Sequence, residues 1–283
     1  MLLVTSATEK VSQALLAELA NKVPVRVLAS DPARVSPAAD NVEVMQGELS
    51  VEDDVRRALK GVEAAFLASP LCPKMAELHA SFAAAAKAAG VSRLVQLSGV
   101  GADSGMGCAR ALRWLGQCER STSIFPDVTH LRPTFFMQLL FKFYSSSGGQ
   151  GVIAGPFRSC QWTFIDVRDV GAVAAAALMN PALAGRTLTL TGGESLTYAE
   201  VAERLSRLLD KQVRYMDITA NEARGRLQAV GAPPVMIEAT LELWDACASK
   251  LINVAPTDTV RAVIGREPRS FEEFARDYRE SFK

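Results

Sequence analysis

Short apolar runs alternate with amphipathic stretches through the first half of the chain. The runs fall at Leu2 to Thr5, Val25 to Ala29, Val42 to Met45, Ala64 to Ala68, Leu94 to Ser98 and Val128 to Leu131. Helical periodicity occupies 10–20, 51–60, 75–89 and 109–120. Strands and helices alternating at this pitch predict right-handed βαβ crossovers and a doubly wound parallel sheet, an α/β fold of the Rossmann type. The runs are mostly continuous in apolar character rather than alternating, as befits strands covered on both faces. "SFAAAAKAAG" at 81–90 predicts a small-residue helix lying close on the sheet, with Gly90 as its stop.

After Arg132-Pro133 the pattern changes. Residues 134–165 are rich in loop signals, including "YSSSGGQG" and "AGPF", and predict connections above the carboxyl edge of the sheet, where α/β proteins bind ligands. A helix near 167–179, a strand at 187–190, a helix at 197–209, a strand at 212–216 and three further helical stretches follow. This divides the chain into a dinucleotide-binding-like domain over 1–155 and a smaller α+β substrate-side lobe over 156–283, interleaved with the first.

Composition narrows the function. The 283 residues are 49% hydrophobic with zero formal net charge, and no cluster of Lys and Arg offers the footprint of a nucleic-acid binder. No apolar stretch is long enough to span a bilayer, and the start lacks the features of a signal peptide, so a cytoplasmic protein is expected. Five scattered cysteines, Cys72, Cys108, Cys118, Cys160 and Cys247, have no metal-ligand or disulfide spacing and read mostly as buried thiols. With only His79 and His130 besides, no metal site is expected.

Seven segments in one order carry a resemblance to the NmrA-like branch of the atypical short-chain dehydrogenases/reductases: "LLVTSATEKVSQALLAELA" with "VRVLASDPARV", "VEVMQGELSVEDDVRRALKGVEAAFLASP", "KAAGVSRLVQLSGVGAD", "HLRPTFFMQLLF", "FIDVRDVGAVAAAAL", "GRTLTLTGGESLTYAEVAERLSRLL" and "FEEFARDYRESF". The resemblance implies a Rossmann domain with a smaller lobe and, in many members, NADP binding with reduction or redox sensing.

The cofactor signature departs from that family. Its loop reads Thr-Gly-Ala-Thr-Gly-x-x-Gly; here Thr5 and Thr8 remain, while Ser6, Glu9 and Ser12 replace the three glycines that permit the turn, the backbone approach to pyrophosphate and close helix packing. Glu9 stands in the first helical turn, where its carboxylate could occupy the anion site from within. At about 5 Å and an effective dielectric near 20, it would cost a phosphate charge roughly 3 kcal/mol, or about a hundredfold in affinity. Ser30 replaces the arginine that many NADP-using relatives place after the second strand, Asp31 follows it, and Arg34 is a partial substitute. Leu139 stands where the family often has Asn, and Leu115 where some members have His. The Tyr-x-x-x-Lys pair of ordinary short-chain dehydrogenases is absent: no tyrosine has lysine four residues on.

The expectation from these departures is a chain without a cofactor: an isomerase, cyclase, dehydratase or coupling enzyme of biosynthesis acting on a hydrophobic or aromatic small molecule. Two alternatives stand beside it, an NAD(P)H-dependent reductase of a quinone or enone, with NADP(H) as cofactor, and a non-enzymatic sensor or regulator. The catalytic candidates are His79, Ser98, Tyr144 and Glu119. Ser69, Cys72, Arg132, Phe135, Phe136, Gln138 and Trp162 are substrate-binding candidates, from their expected place at the carboxyl edge. The altered cofactor loop comprises Thr5, Ser6, Thr8, Glu9, Ser12, Ser30 and Arg34. Asp166 and Asp169 are expected to cap a helix beside Arg168, and His130 to be a satisfied core histidine. The expected partner is a hydrophobic small molecule, with no nucleic acid and no membrane, and a homodimer is the candidate assembly.

Overall fold

A computed structural model describes residues 1–35, 39–104, 109–249, 252 and 254–282, with the side chain of Ser147 left out. Cys108 therefore lies outside the described residues. The main sheet has seven parallel strands in the order β3-β2-β1-β4-β5-β6-β9, formed by β1 (Leu2–Thr5), β2 (Val25–Ala29), β3 (Val42–Gln46), β4 (Ala64–Leu67), β5 (Arg93–Leu97), β6 (Thr129–Pro133) and β9 (Thr187–Leu190). Chain order reverses between β1 and β4, the switch point at which doubly wound sheets open a crevice.

Every residue of β1 and β4 is buried because helices cover both faces. On one side α1 (Lys10–Leu19), α6 (Val167–Met179) and α10 (Thr259–Ile264) pack through Val11, Leu15, Val170, Val173 and Val260. On the other, α2 (Glu52–Leu59) and α3 (Met75–Ala88) contribute Val55, Leu59, Phe82 and Ala83. Gly90, at φ 75°, ends α3 as the sequence predicts. α4 (Arg110–Ser121) lies beside α3 on that face.

The segment 134–165 is more ordered than its loop signals suggest. After α5 (Leu140–Phe143), β7 (Tyr144–Ser147) and β8 (Gln150–Gly155) form an antiparallel hairpin around Gly148 and Gly149, and β10 (Val213–Asp217) joins β8 in parallel. Both glycines have positive φ, 59° and 76°, as a tight two-residue hairpin turn requires. α7 (Tyr198–Leu209), α8 (Ala220–Ala229), α9 (Pro234–Ala248) and α11 (Phe271–Asp277) complete this region around an aromatic core that includes Phe157, Trp162, Tyr198 and Phe274. Among the described residues no helix is long and apolar enough to cross a membrane.

Candidate active site

The turn after β1 keeps the shape that glycine would give it. Ser6 has φ 51°, the left-handed region that glycine enters freely, and its hydroxyl donates to Ala68 O across the switch point at 2.8 Å. Thr5 is tied to the same strand end: its hydroxyl donates to Ala68 O at 2.9 Å and accepts from Ala68 N at 2.9 Å. Ser12 is fully buried and donates to Thr5 O at 3.0 Å, so its side chain occupies the close helix-strand contact without prising it apart.

Glu9 does not fill the site. It is the N-cap of α1 in extended conformation, its carboxylate makes no capping hydrogen bond, and it is exposed. The expected internal occupation is corrected by this geometry: the first-turn amides of α1 stay available, with half-buried Thr8 beside them. Two lysines, passed over in the sequence, stand close by. The Lys10 ammonium lies 4.9 Å above the Phe141 ring, and partial burial together with the neighbouring charge of Lys142 lowers its pKa. Beyond β2, Ser30 and Arg34 are both exposed, and Asp31 accepts from Ala33 N at 3.1 Å.

Along the carboxyl edge the candidates separate into two hydrogen-bonded groups. In the first, half-buried Ser69 follows β4 with its Oγ 2.9 Å from His79 Nε2. His79 on α3 has no exposed surface, and its Nδ1 lies 2.7 Å from Gln96 Nε2 on β5. Gln96 Oε1 in turn accepts from the Thr122 hydroxyl at 3.0 Å. Burial lowers the His79 pKa to about 4, so the ring is neutral rather than a base poised near neutrality. Gln96 and Thr122 were not singled out in the sequence; a polar Gln in the middle of the buried run "LVQL" is the signal that could have found them.

In the second group, Ser98 donates to Glu119 Oε1 at 2.5 Å. Arg132 holds Glu119 with two nitrogens, at 2.9 and 2.6 Å, and Asp103 at 2.6 Å. Burial favours the neutral Glu119 carboxyl, but the Arg132 and Ser98 hydrogen bonds outweigh it and hold the pKa below the usual range. Glu119 is thus an ionised acceptor that orients Ser98, with no proton to give. Half-buried Cys72 lies near Cys118 and completes this edge.

The other candidates lie elsewhere or are already engaged. The Tyr144 hydroxyl, on β7 of the small sheet, donates to Phe282 O at 2.7 Å and is not brought to Ser98. Gln138 donates to Asp166 Oδ1 and accepts from Val167 N, so both ends of its amide serve the start of α6. Trp162 is buried against half-buried Phe135, ring centroids 4.2 Å apart, while Phe136 packs on the main core. Asp166 caps α6 through Arg168 N, as expected. Buried Asp169 instead accepts from Arg269 N at 2.7 Å, tying the start of α6 to the approach of α11. His130 departs from expectation: it is half-buried and its Nδ1 has no hydrogen-bond partner.

Comparison with known proteins gives the family of the chain. A family model described as NAD(P)H-binding matches residues 7–117, and one described as the NmrA-like family matches 119–275. The NAD(P)H azoreductase of Xenophilus azovorans is 33% identical over 265 residues, 92% of this chain and 91% of that protein. The (4-alkanoyl-5-oxo-2,5-dihydrofuran-3-yl)methyl phosphate reductase of Streptomyces griseus subsp. griseus is 33% identical over 288 residues, covering 100% of this chain and 99% of its own. In fold, the NADPH-dependent quinone oxidoreductase of Escherichia coli, solved with NADPH, superposes with a TM-score of 0.84 at 24% identity over 98% of this chain and 99% of that one. These findings overturn the expectation that no cofactor binds: an NAD(P)H-binding model matches from residue 7 and takes in Thr8, Glu9 and Ser12 of the altered loop, and the azoreductase is an NAD(P)H enzyme. The loss of three glycines is a poor guide because Ser6 still adopts the glycine backbone and Ser12 still fits the contact. The chain belongs to the NmrA-like family.

Proposed function

We propose that this chain is an NAD(P)H-dependent reductase whose dinucleotide lies across the β1/β4 switch point. The observation that carries the reading is the uncapped first turn of α1 beside the left-handed turn at Ser6. Free amides and the positive end of the helix dipole suit a pyrophosphate, and Lys10 with Lys142 adds positive charge there. Arg34, exposed after β2, is the cation available to a 2′-phosphate.

The bound cofactor supplies a hydride. The chain supplies orientation: the Ser98 hydroxyl is fixed by an ionised Glu119, itself clamped by Arg132, so its oxygen keeps one direction at the end of β5. Half-buried Phe135 and Phe136 give the region above β6 an apolar, aromatic character. That lining suits a flat conjugated acceptor such as a quinone, an enone or an azo compound.

The test is a fluorescence or calorimetric titration of the purified chain with NADPH and NADH, followed by cofactor oxidation with a panel of quinones, enones and azo dyes. Micromolar binding and turnover of at least one acceptor class are expected. Absence of binding to either nucleotide at millimolar concentration overturns the reading.

A further inference from the structure

The chain from Ser69 to Thr122 fixes hydrogens as well as heavy atoms. As arranged, the Gln96 amide nitrogen faces His79 Nδ1 at 2.7 Å, and an amide nitrogen can only donate. Nδ1 is therefore an acceptor, and the single proton of the neutral ring sits on Nε2, 2.9 Å from Ser69 Oγ. Ser69 accepts that proton's hydrogen bond, which leaves its own hydroxyl hydrogen pointing away from His79. Gln96, Thr122 and His79 are all without exposed surface, so water does not compete to rotate the chain; Ser69 alone is half-buried. It stands next to Ala68, whose carbonyl receives the Ser6 hydroxyl, and so belongs to the wall of the same crevice.

We propose that His79 is a positioning residue that sets the Ser69 hydroxyl as a hydrogen-bond donor into the switch-point crevice, for an acceptor oxygen of the bound dinucleotide. The inference rests on the dinucleotide reading above and deepens it by assigning the wall of β4 an oriented donor. Three fully buried polar side chains behind one serine cost desolvation that apolar residues would not, and a donor of fixed direction is what they provide in return. Pre-set direction removes the need to reorient the hydroxyl when the ligand arrives.

The proposal is tested by NADPH titration of five proteins, the wild type and four variants, with nitrogen-15 spectra of the histidine rings in the unliganded wild type. The spectra are expected to show His79 protonated on Nε2; a proton on Nδ1 means the Gln96 amide is turned over and overturns the proposal. Ser69→Ala is expected to weaken NADPH roughly tenfold, the loss of one hydrogen bond to a charged or strongly polar acceptor. His79→Gln, whose amide can still donate to Ser69, is expected to stay within about threefold of wild type, whereas Ser69→Thr keeps the hydroxyl and most of the affinity. Wild-type binding with Ser69→Ala unchanged overturns this inference alone. No binding by wild type overturns the dinucleotide reading and this inference with it. A Ser69→Ala/His79→Gln pair weaker than Ser69→Ala alone would show His79 acting by another route, and would also overturn it.

Discussion

His79 has no exposed surface and its pKa is lowered by burial to about 4 from 6.5, so protonating it opposes the fold. Between those values the unfolded chain takes up a proton that the folded chain refuses. Stability is therefore complete above the unfolded value and falls as the pH drops toward the folded one, by about 2 kcal/mol between pH 7 and pH 5. Half-buried His130, also lowered by burial, acts in the same direction. Urea unfolding at the two pH values should show a smaller drop for His79→Gln than for wild type; equal drops would assign the acid sensitivity to other groups. Glu9 yields a second prediction. Its carboxylate is exposed rather than seated in the anion site, so its repulsion of a pyrophosphate is screened. Glu9→Gln should tighten NADPH by roughly threefold to tenfold at low salt, and by less as salt rises. An affinity gain of a hundredfold would instead mean that the carboxylate does occupy the phosphate position.

Helix α1 presents the phosphate turn, and α6 packs directly upon it. At Gly171 on α6, a Cβ would lie 2.7 Å from Ala14 C and Leu15 N of α1, backbone atoms that cannot yield as a side chain end could. Gly171→Ala should lower stability by about 1–3 kcal/mol, read as a fall in thermal midpoint, and should weaken NADPH because α1 must shift. A midpoint unchanged from wild type would show that the two helices can separate without cost. The main-sheet strands and helices were legible because propensity and burial agree in them. The β7–β8 hairpin reads as loop in the sequence although "SGGQ" carries the two-glycine turn signal; short polar strands such as "YSSS" lack the apolar alternation that marks a strand, and the sheet is completed by β10, which pairs with β8 from far along the chain.

The small sheet and the aromatic core beneath it depend on a return of the chain from residue 282. Phe282 is fully buried, packs near Phe141 and Tyr144 at ring distances of 5.3 and 5.2 Å, and its carbonyl accepts from the Tyr144 hydroxyl and the Lys211 ammonium. Tyr144 thereby fastens the lobe, and is drawn away from the catalytic place its residue type suggested. Phe282→Ala should cost about 3–5 kcal/mol and raise hydrogen exchange in β7 and β8 more than in β1 and β4. Uniform loss of protection over both sheets would show that the lobe and the main sheet unfold as one unit.

Taken alone, the sequence determined the doubly wound sheet, because apolar runs at strand length separated by helical periods admit few other arrangements, while the family showed in the resemblance of seven segments in one order. It also placed Ser69, Ser98 and Arg132 at strand ends by their position after those runs. Only tertiary structure decided which polar groups meet. Ser69 reaches Thr122 through His79 and Gln96 because α3 and α4 cover one face of β4 and β5, and Ser98 meets Arg132 through Glu119 across residues 98 to 132. The missing glycines misled for the same reason: backbone angle and the direction of a carboxylate belong to packing, and the fold holds Ser6 in the left-handed turn while leaving Glu9 in solvent.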